Sequence, residues 1–294
     1  MVAAMGAAAR TAEAAGAVSL GGELEVRRMG FGAMRITGEG IWGDPPDPDA
    51  ARGVVRRAVE LGVNFIDTAD SYGPETSERL VAEALHPYPD GVVIATKGGF
   101  TRPGRSQWDF DGRPEHLRQA CEGSLRRLRL DAIDVYQLHR VDPRVGLEDS
   151  VGALAELRAE GKIRHVGLSN VDEAQLERAR EIVPIVSVQN RYNVAERDSD
   201  TLVDLCARYG LVFIPYFPLV AGWVSENSGP WDRVAEAHGA TPAQIALAWL
   251  LHRSSAMLAI PGTGSVQHLE ENVAAASIRL SEAELEALAE AGAG

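Results

Sequence analysis

Asp67, Tyr72, Lys97 and His139 are the side chains of this sequence that could together pass a proton to or from a carbonyl or alcohol oxygen. Tyrosine alone is a poor acid or base at neutral pH, because its phenol titrates near 10. A neighbouring ammonium stabilises the phenolate and lowers that value, and a carboxylate keeps the ammonium charged and in place. Asp67, Lys97 and Tyr72 therefore read as a proton relay, with His139 donating a hydrogen bond to the same oxygen. Such a set handles the proton but supplies no hydride, so redox chemistry here needs a cofactor. Each residue also has a plainer reading. Asp67 suits a helix N-cap, Lys97 a solvated surface and His139 a hydrogen-bonded core position. What outweighs those readings is where the residues fall.

Each follows a short apolar run. Runs rich in β-branched residues occupy 29–33, 63–66, 92–95, 133–138, 165–168, 185–188, 211–214 and 257–260, and segments of helical period occupy 49–61, 76–85, 113–128 and 147–160. Continuous apolar strands alternating with amphipathic helices indicate βα units on a parallel sheet. Eight such units in about 260 residues match a (β/α)8 barrel. A doubly wound sheet would carry a Gly-rich turn after its first strand, whereas this strand runs through Gly32-Ala33-Met34-Arg35. Ahead of the barrel, 18–26 reads as two short strands about Gly21-Gly22, a hairpin expected to close the barrel's bottom. Residues 1–17 are expected to form a loosely ordered Ala-rich leader, and 18–294 a single barrel.

In a barrel, chemistry sits at the carboxyl ends of the strands. There the sequence places Asp67 to Tyr72, Thr96-Lys97, His139-Arg140, Ser169-Asn170 and Gln189-Asn190. Ser169-Asn170 could be only a helix cap and Tyr216 only packing, but barrel stability does not require polar residues at five successive strand ends.

Composition narrows the partners. Hydrophobic residues make up 45% and charged residues 24%, an ordinary globular balance. A formal net charge of −13 argues against a nucleic-acid or anionic-membrane surface, though one local pocket can still be positive. Cys121 and Cys206 offer no disulfide framework, which fits a reducing compartment. No apolar run is long enough to span a bilayer, and the leader lacks the basic start of a signal peptide, so a cytoplasmic protein is expected. HExxH and GxSxG are absent, and no metal is expected.

Beyond these derivations, the chain from about Gly30 to Asn272 resembles the aldo-keto reductase family. The resemblance rests on Asp67-Thr68-Ala69, Tyr72-Gly73, Thr96-Lys97, Leu138-His139, Gly167-Leu168-Ser169-Asn170, Gln189, Ile260-Pro261-Gly262-Thr263-Gly264-Ser265 and Glu271-Asn272, in order on the expected strands. Gly30 to Met34, Ala246 to Leu251 and Ile260 to Thr263 are most similar to bacterial reductases of the pyridoxal reductase type. The resemblance implies reduction of an aldehyde or ketone by NADP(H), with NAD(H) less favoured. Tyr72 would be the proton donor, tuned by Asp67 and Lys97, and His139 would orient the carbonyl. Ser169, Asn170 and Gln189 would hold the nicotinamide carboxamide and Tyr216 would stack on its ring. Gly32, Ala33 and Met34, with Phe217, Leu219 and Gly222, would line the cofactor's path. Gly262, Thr263, Ser265, His268, Glu271 and Asn272 would surround its adenosine end. One departure stands out: Gly262 and His268 occupy places where many members carry a Lys and an Arg for the 2′-phosphate. Hydroxyls, helix N–H groups and His268 would have to serve instead. Met34, Trp42, Tyr72, Phe100, Trp108, His139 and Trp223 are the expected substrate contacts, making the pocket partly aromatic. The expected partner is a small carbonyl compound, and the expected state a monomer or weak homo-oligomer. Two alternatives remain: a lyase forming a Schiff base on Lys97, which Asp67 opposes by keeping the amine charged, and a barrel that binds cofactor as a sensor.

Overall fold

The computed structural model describes residues 11–219 and 229–292. An antiparallel hairpin opens the fold, β1 (Ala17–Leu20) against β2 (Leu24–Arg27), with Gly21 and Gly22 at positive φ in its turn. A parallel sheet follows: β3 (Phe31–Gly32), β4 (Phe65–Asp67) and β5 (Val93–Gly98). A second antiparallel hairpin, β6 (Phe100–Gly104) and β7 (Gln107–Phe110), interrupts it. The sheet resumes with β8 (Ile133–Leu138), β9 (Ile163–Ser169), β10 (Ile185–Arg191) and β11 (Val212–Tyr216). These seven strands lie side by side in chain order.

The run at 257–260, expected as a full strand, pairs with both edges of the sheet only through single parallel bridges, Phe213 to Met257 and Met29 to Ala259. Its amides keep ladder geometry: Leu258 donates to Phe213 at 2.9 Å, Ala259 to Arg28 at 2.9 Å, and Gly30 donates back to Ala259 at 2.8 Å. The ring is thereby joined at a short seam that runs on to Pro261, which has no N–H to donate but whose carbonyl accepts from the Gly32 N–H at 3.4 Å.

Helices α1 (Pro48–Glu60), α2 (Thr76–Leu85), α3 (Pro114–Leu128), α4 (Leu147–Ala159), α5 (Glu173–Arg180) and α6 (Asp200–Tyr209) alternate with the strands. They are followed by α7 (Pro230–His238), α8 (Pro242–Arg253), α9 (Val266–Ala274) and α10 (Glu282–Gly292). The first shows why such segments are helical. Asp47 accepts the Ala50 N–H at its start, proline occupies the first turn, and Ala51, Val54, Val55 and Ala58 bury one face at helical spacing. Helix α9 packs on α1, so the helical layer wraps round as the strands do.

The core is double. One cluster fills the space between sheet and helices. The other lies inside the ring, where Phe65, Val93, Ala95, Val135, Val212, Ile214 and Leu258 meet Leu20 and Val26 of the hairpin. The leader needs one adjustment. Ala12–Ala15 form a 3-10 turn whose Ala12 and Ala15 are buried in the core, and Ala17 already belongs to β1, so the ordered fold starts before residue 18. Residues 1–10 lie outside the described part. Among the described residues no helix is long and apolar enough to cross a membrane.

Candidate active site

Strand alternation assembles the site. Side chains two residues apart share a face, so those that follow the interior residues Phe65, Val93-x-Ala95 and Val135 are Asp67, Lys97 and Gln137. The apolar interior thus ends in a polar layer. Lys97 is fully buried, and its Nζ lies 2.5 Å from Asp67 Oδ1, 2.9 Å from the Thr68 carbonyl and 3.4 Å from the Tyr72 hydroxyl. The other Asp67 oxygen accepts from Gln189 Nε2 at 2.8 Å and Gln137 Nε2 at 3.2 Å. A carboxylate in this position would be costly if left alone, and here an ammonium and two amides satisfy it. His139 Nδ1 lies 3.4 Å from the Ser71 hydroxyl, and its ring meets Tyr72 edge-on at 5.8 Å.

The electrostatics correct one expectation. Burial raises the Tyr72 phenol above its ordinary value, and the opposing pull of Lys97 does not overcome it. Tyr72 is a phenol held protonated rather than one primed to ionise. Burial pushes Lys97 down, but Asp67 and Tyr72 more than compensate, and its pKa is raised. The amine stays charged. Burial, then Lys97, then Arg140 hold His139 well below its ordinary value, leaving a neutral imidazole at pH 7.

Above this layer opens a cavity of about 430 Å³. Of the expected site residues it is lined by Gly32, Met34, Asp67, Tyr72, Phe100, Trp108, His139, Ser169, Asn170, Gln189, Tyr216, Phe217, Leu219 and Gly262. Lys97 stands behind it, reaching the cavity only through Asp67 and Tyr72. Ala33 is buried below, its carbonyl accepting from Ser77 Oγ at 2.9 Å. Trp42 is not on the wall: its ring packs 5.3 Å from the Arg102 guanidinium. Thr263, Ser265, His268, Glu271 and Asn272 run on from Gly262 outside the cavity, with Ser265 capping α9 through the His268 N–H at 3.4 Å. Gly222 and Trp223 lie outside the described residues.

Ser169-Asn170 is not the cap of the next helix; Asp172 is, in a capping box with Gln175. Instead Asn170, at φ 57°, donates to the His139 carbonyl at 3.0 Å and accepts from the Tyr216 hydroxyl at 2.6 Å, locking three strand ends together. Phe100 and Trp108, expected substrate contacts, sit on the β6–β7 hairpin. Arg102 clasps that hairpin by donating at 3.0 Å to the carbonyls of Ile41 and Ser71, with Trp108 stacked at 3.8 Å. Gln137 and Arg140 stand at the same strand end, two residues before His139 and one after, and the sequence assigned neither a role. Arg35, Ile41, Pro218, Ile260 and Pro261 also line the wall.

A nicotinamide fits what is present. The Ser169 hydroxyl accepts from Asn170 Nδ2 at 3.1 Å and keeps its own proton to donate. Gln189 spends its N–H groups on Asp67 and Gln137, and its oxygen remains to accept. Together they match a primary carboxamide. At the far end, a Cβ on Gly32 would come within 2.7 Å of the Ile260 carbonyl oxygen, and one on Gly262 within 2.6 Å of the Gly32 carbonyl oxygen, so only glycines let these walls meet. Among the described residues no group of His, Cys, Asp and Glu is placed to hold a metal ion.

Comparison with known proteins agrees. The sequence profile of the Aldo/keto reductase family matches residues 28–293. An uncharacterised oxidoreductase of Schizosaccharomyces pombe is 48% identical over 92% of this chain and 88% of its own. Pyridoxine 4-dehydrogenase of Escherichia coli is 44% identical over 91% of this chain and 95% of its own. Among solved structures, a thermostable aldo-keto reductase, Tm1743, in complex with the inhibitor epalrestat superposes with a TM-score of 0.82 at 31% identity, covering 94% of this chain and 99% of that one. An aldo/keto reductase from Klebsiella pneumoniae in complex with NADP and acetate gives 0.79 at 30% identity, covering 92% and 93%.

Proposed function

The chain belongs to the aldo/keto reductase family, oxidoreductases built on a (β/α)8 barrel, and from that premise we propose that it reduces an aldehyde to an alcohol with Tyr72 as the proton donor. NADP(H) is the family's cofactor, and when bound it supplies the hydride that reaches the carbonyl carbon. The chain's own residues do the rest. Ser169 and Gln189 orient the carboxamide, and Tyr216, fixed through Asn170, presents its ring to the nicotinamide. The hydroxyls of Thr263 and Ser265, the N-terminus of α9 and His268 take the adenosine phosphate. In the tautomer that lets Ser71 donate to Nδ1, His139 carries its proton on Nε2 and offers it as a hydrogen bond to the substrate oxygen.

As negative charge develops on that oxygen, the Tyr72 O–H proton passes to it. Lys97, 3.4 Å away, stabilises the phenolate left behind, and Asp67 holds Lys97 in place. A phenol that stays protonated at rest suits a reductase, which needs the donor loaded before hydride arrives. What carries this reading is the buried Asp67–Lys97–Tyr72 contact opening directly onto the cavity beside His139. A Schiff base on Lys97 is disfavoured because the amine is charged, enclosed and off the cavity wall.

For substrate we infer an aromatic aldehyde of pyridoxal type, on the strength of the similarity to pyridoxine 4-dehydrogenase and the Phe100–Trp108 wall. Following NADPH oxidation at 340 nm with pyridoxal and benzaldehyde tests both parts. Turnover of neither aldehyde by enzyme that binds NADPH would leave a cofactor-binding sensor as the better reading.

A further inference from the structure

We propose that Arg140 makes the His139 end of the cavity an anion site, so that the preferred substrate is a flat aromatic aldehyde bearing a negatively charged substituent. The inference rests on the carbonyl-reductase reading and adds the charge of the substrate to it.

The cavity wall carries the charged residues Arg35, Asp67 and Arg140. Asp67 is neutralised by Lys97 and its two amide donors, so it neither repels an anion nor serves Arg140. Arg35 lies at the opposite end, its Cγ 3.7 Å from where a Cβ on Gly262 would stand, on the side assigned to cofactor phosphate. Arg140 is the cation next to the reacting end. Arginines off this wall are paired: Arg144 with Asp142 at 2.9 Å, Arg113 with Asp111 at 2.6 Å and Arg191 with Glu196 at 2.7 Å. Among the described residues Arg140 has neither a carboxylate nor a hydrogen-bond acceptor; its guanidinium rests against the Phe110 ring at 5.4 Å. Stacking on a ring face leaves the N–H edge of the fork free for a planar oxyanion. In a chain of net charge −13, an exposed arginine with no ion-pair partner among the described residues, at a cavity mouth, is a local reversal of sign.

The aromatic half of the inference comes from the same wall. Phe100 touches His139 at 4.5 Å, Trp108 at 5.5 Å and Phe110 at 5.4 Å between ring centroids. Trp108 and Phe217 remain 38% and 39% exposed at the opening, a pair of large apolar side chains left for a ligand to cover. From His139 the wall runs through Phe100 to Phe110 and the Arg140 guanidinium, so a flat ring lying along Phe100 with its carbonyl at Tyr72 and His139 would carry a ring substituent along that wall to Arg140.

The test compares 4-carboxybenzaldehyde with 4-isopropylbenzaldehyde, similar in size and differing in charge, under saturating NADPH. The wild-type ratio of kcat/KM should favour the carboxylate. That ratio should fall by about 10- to 100-fold in Arg140→Gln, the range of one charge-assisted hydrogen bond, and by less in Arg140→Lys. Intrinsic differences in aldehyde reactivity cancel between variants. Binding of 4-(hydroxymethyl)benzoate to the NADPH complex, a pair that cannot react, should weaken in parallel in the variants by calorimetry, independently of turnover. A wild-type ratio at or below one, a ratio unchanged in a folded Arg140→Gln, or a loosening of NADPH itself by that substitution would overturn the anion site while leaving reduction intact. Failure to reduce either aldehyde would instead overturn the reductase reading, and the anion site with it.

Discussion

Replacing Lys97 by Met separates what the buried ion pair does for folding from what it does for chemistry. At 2.5 Å the Asp67–Lys97 pair has a Coulomb attraction of about 7 kcal/mol at an effective dielectric of about 20, most of it offset by the desolvation of both charges. Met fills nearly the same volume but leaves Asp67 with amide donors and no counter-charge at 2% exposure. Removing one partner of a buried pair costs about 3–5 kcal/mol, so urea unfolding of the cofactor-free enzyme should shift by that amount. The activity loss has a different source. Burial already raises the Tyr72 phenol, and without the ammonium it would rise further, so proton donation should lose about 10²–10⁴-fold in kcat. In the double variant Asp67→Asn, Lys97→Met the stranded charge is gone, and most of the stability should return while kcat stays low. Refutation would come from Lys97→Met keeping more than about a tenth of wild-type kcat, against the range for a compromised general acid. A double variant that regained activity along with stability would do the same.

Tyr72→Phe should lower kcat by about 10²–10⁴-fold with NADPH affinity by calorimetry nearly unchanged, because the carboxamide contacts come from other strands. His139 should give no acidic limb in the pH–rate profile of reduction near 6.5, since its folded pKa lies well below that. Stability should instead decline as pH falls below the unfolded histidine's ordinary value, where the unfolded chain takes up a proton that the folded one refuses; His139→Gln should flatten that decline. Leu20→Ala, in the hairpin beneath the barrel interior, should cost about 2–5 kcal/mol in urea unfolding with KM unchanged, if the hairpin is the barrel's floor. NADPH should bind more tightly than NADH by calorimetry, and Ser265→Ala should narrow the difference while costing about 1 kcal/mol of helix capping.

Where local pattern and tertiary packing agreed, the elements were legible in advance: β8 and α2 fall at 133–138 and 76–85 as the apolar periodicity predicts. The β6–β7 hairpin was not, because Phe100–Gly104 has no alternation, contains Pro103 and is held by Arg102, which donates to carbonyls within the hairpin and to those of Ile41 and Ser71 in other loops. The seam at 257–260 reads as a strand but meets its neighbours only at bridges, a difference of register that composition does not encode. In the candidate site, strand-end position was enough to group Asp67, Lys97 and His139, which the fold brings together around Tyr72. It could not fix the sign of the Tyr72 shift, which turns on burial against a charge, nor reveal that Asn170 is committed to Tyr216 and His139. Gln137 and Arg140 were left without a role for a simpler reason: each looks like the continuation of a motif already read.

The glycine pair at the seam constrains how such a sequence can drift. A side chain at Gly32 would strike the main-chain oxygen of Ile260, and one at Gly262 the main-chain oxygen of Gly32. An obstruction made of side chain can be cleared by a second substitution elsewhere; one made of backbone cannot. Neither position can therefore be rescued by changes in its neighbours, and a lineage descending from this chain would be expected to keep both glycines while its Trp108 hairpin and its Arg140 rim diverge. The joint is inherited rigid, and variety accumulates around it.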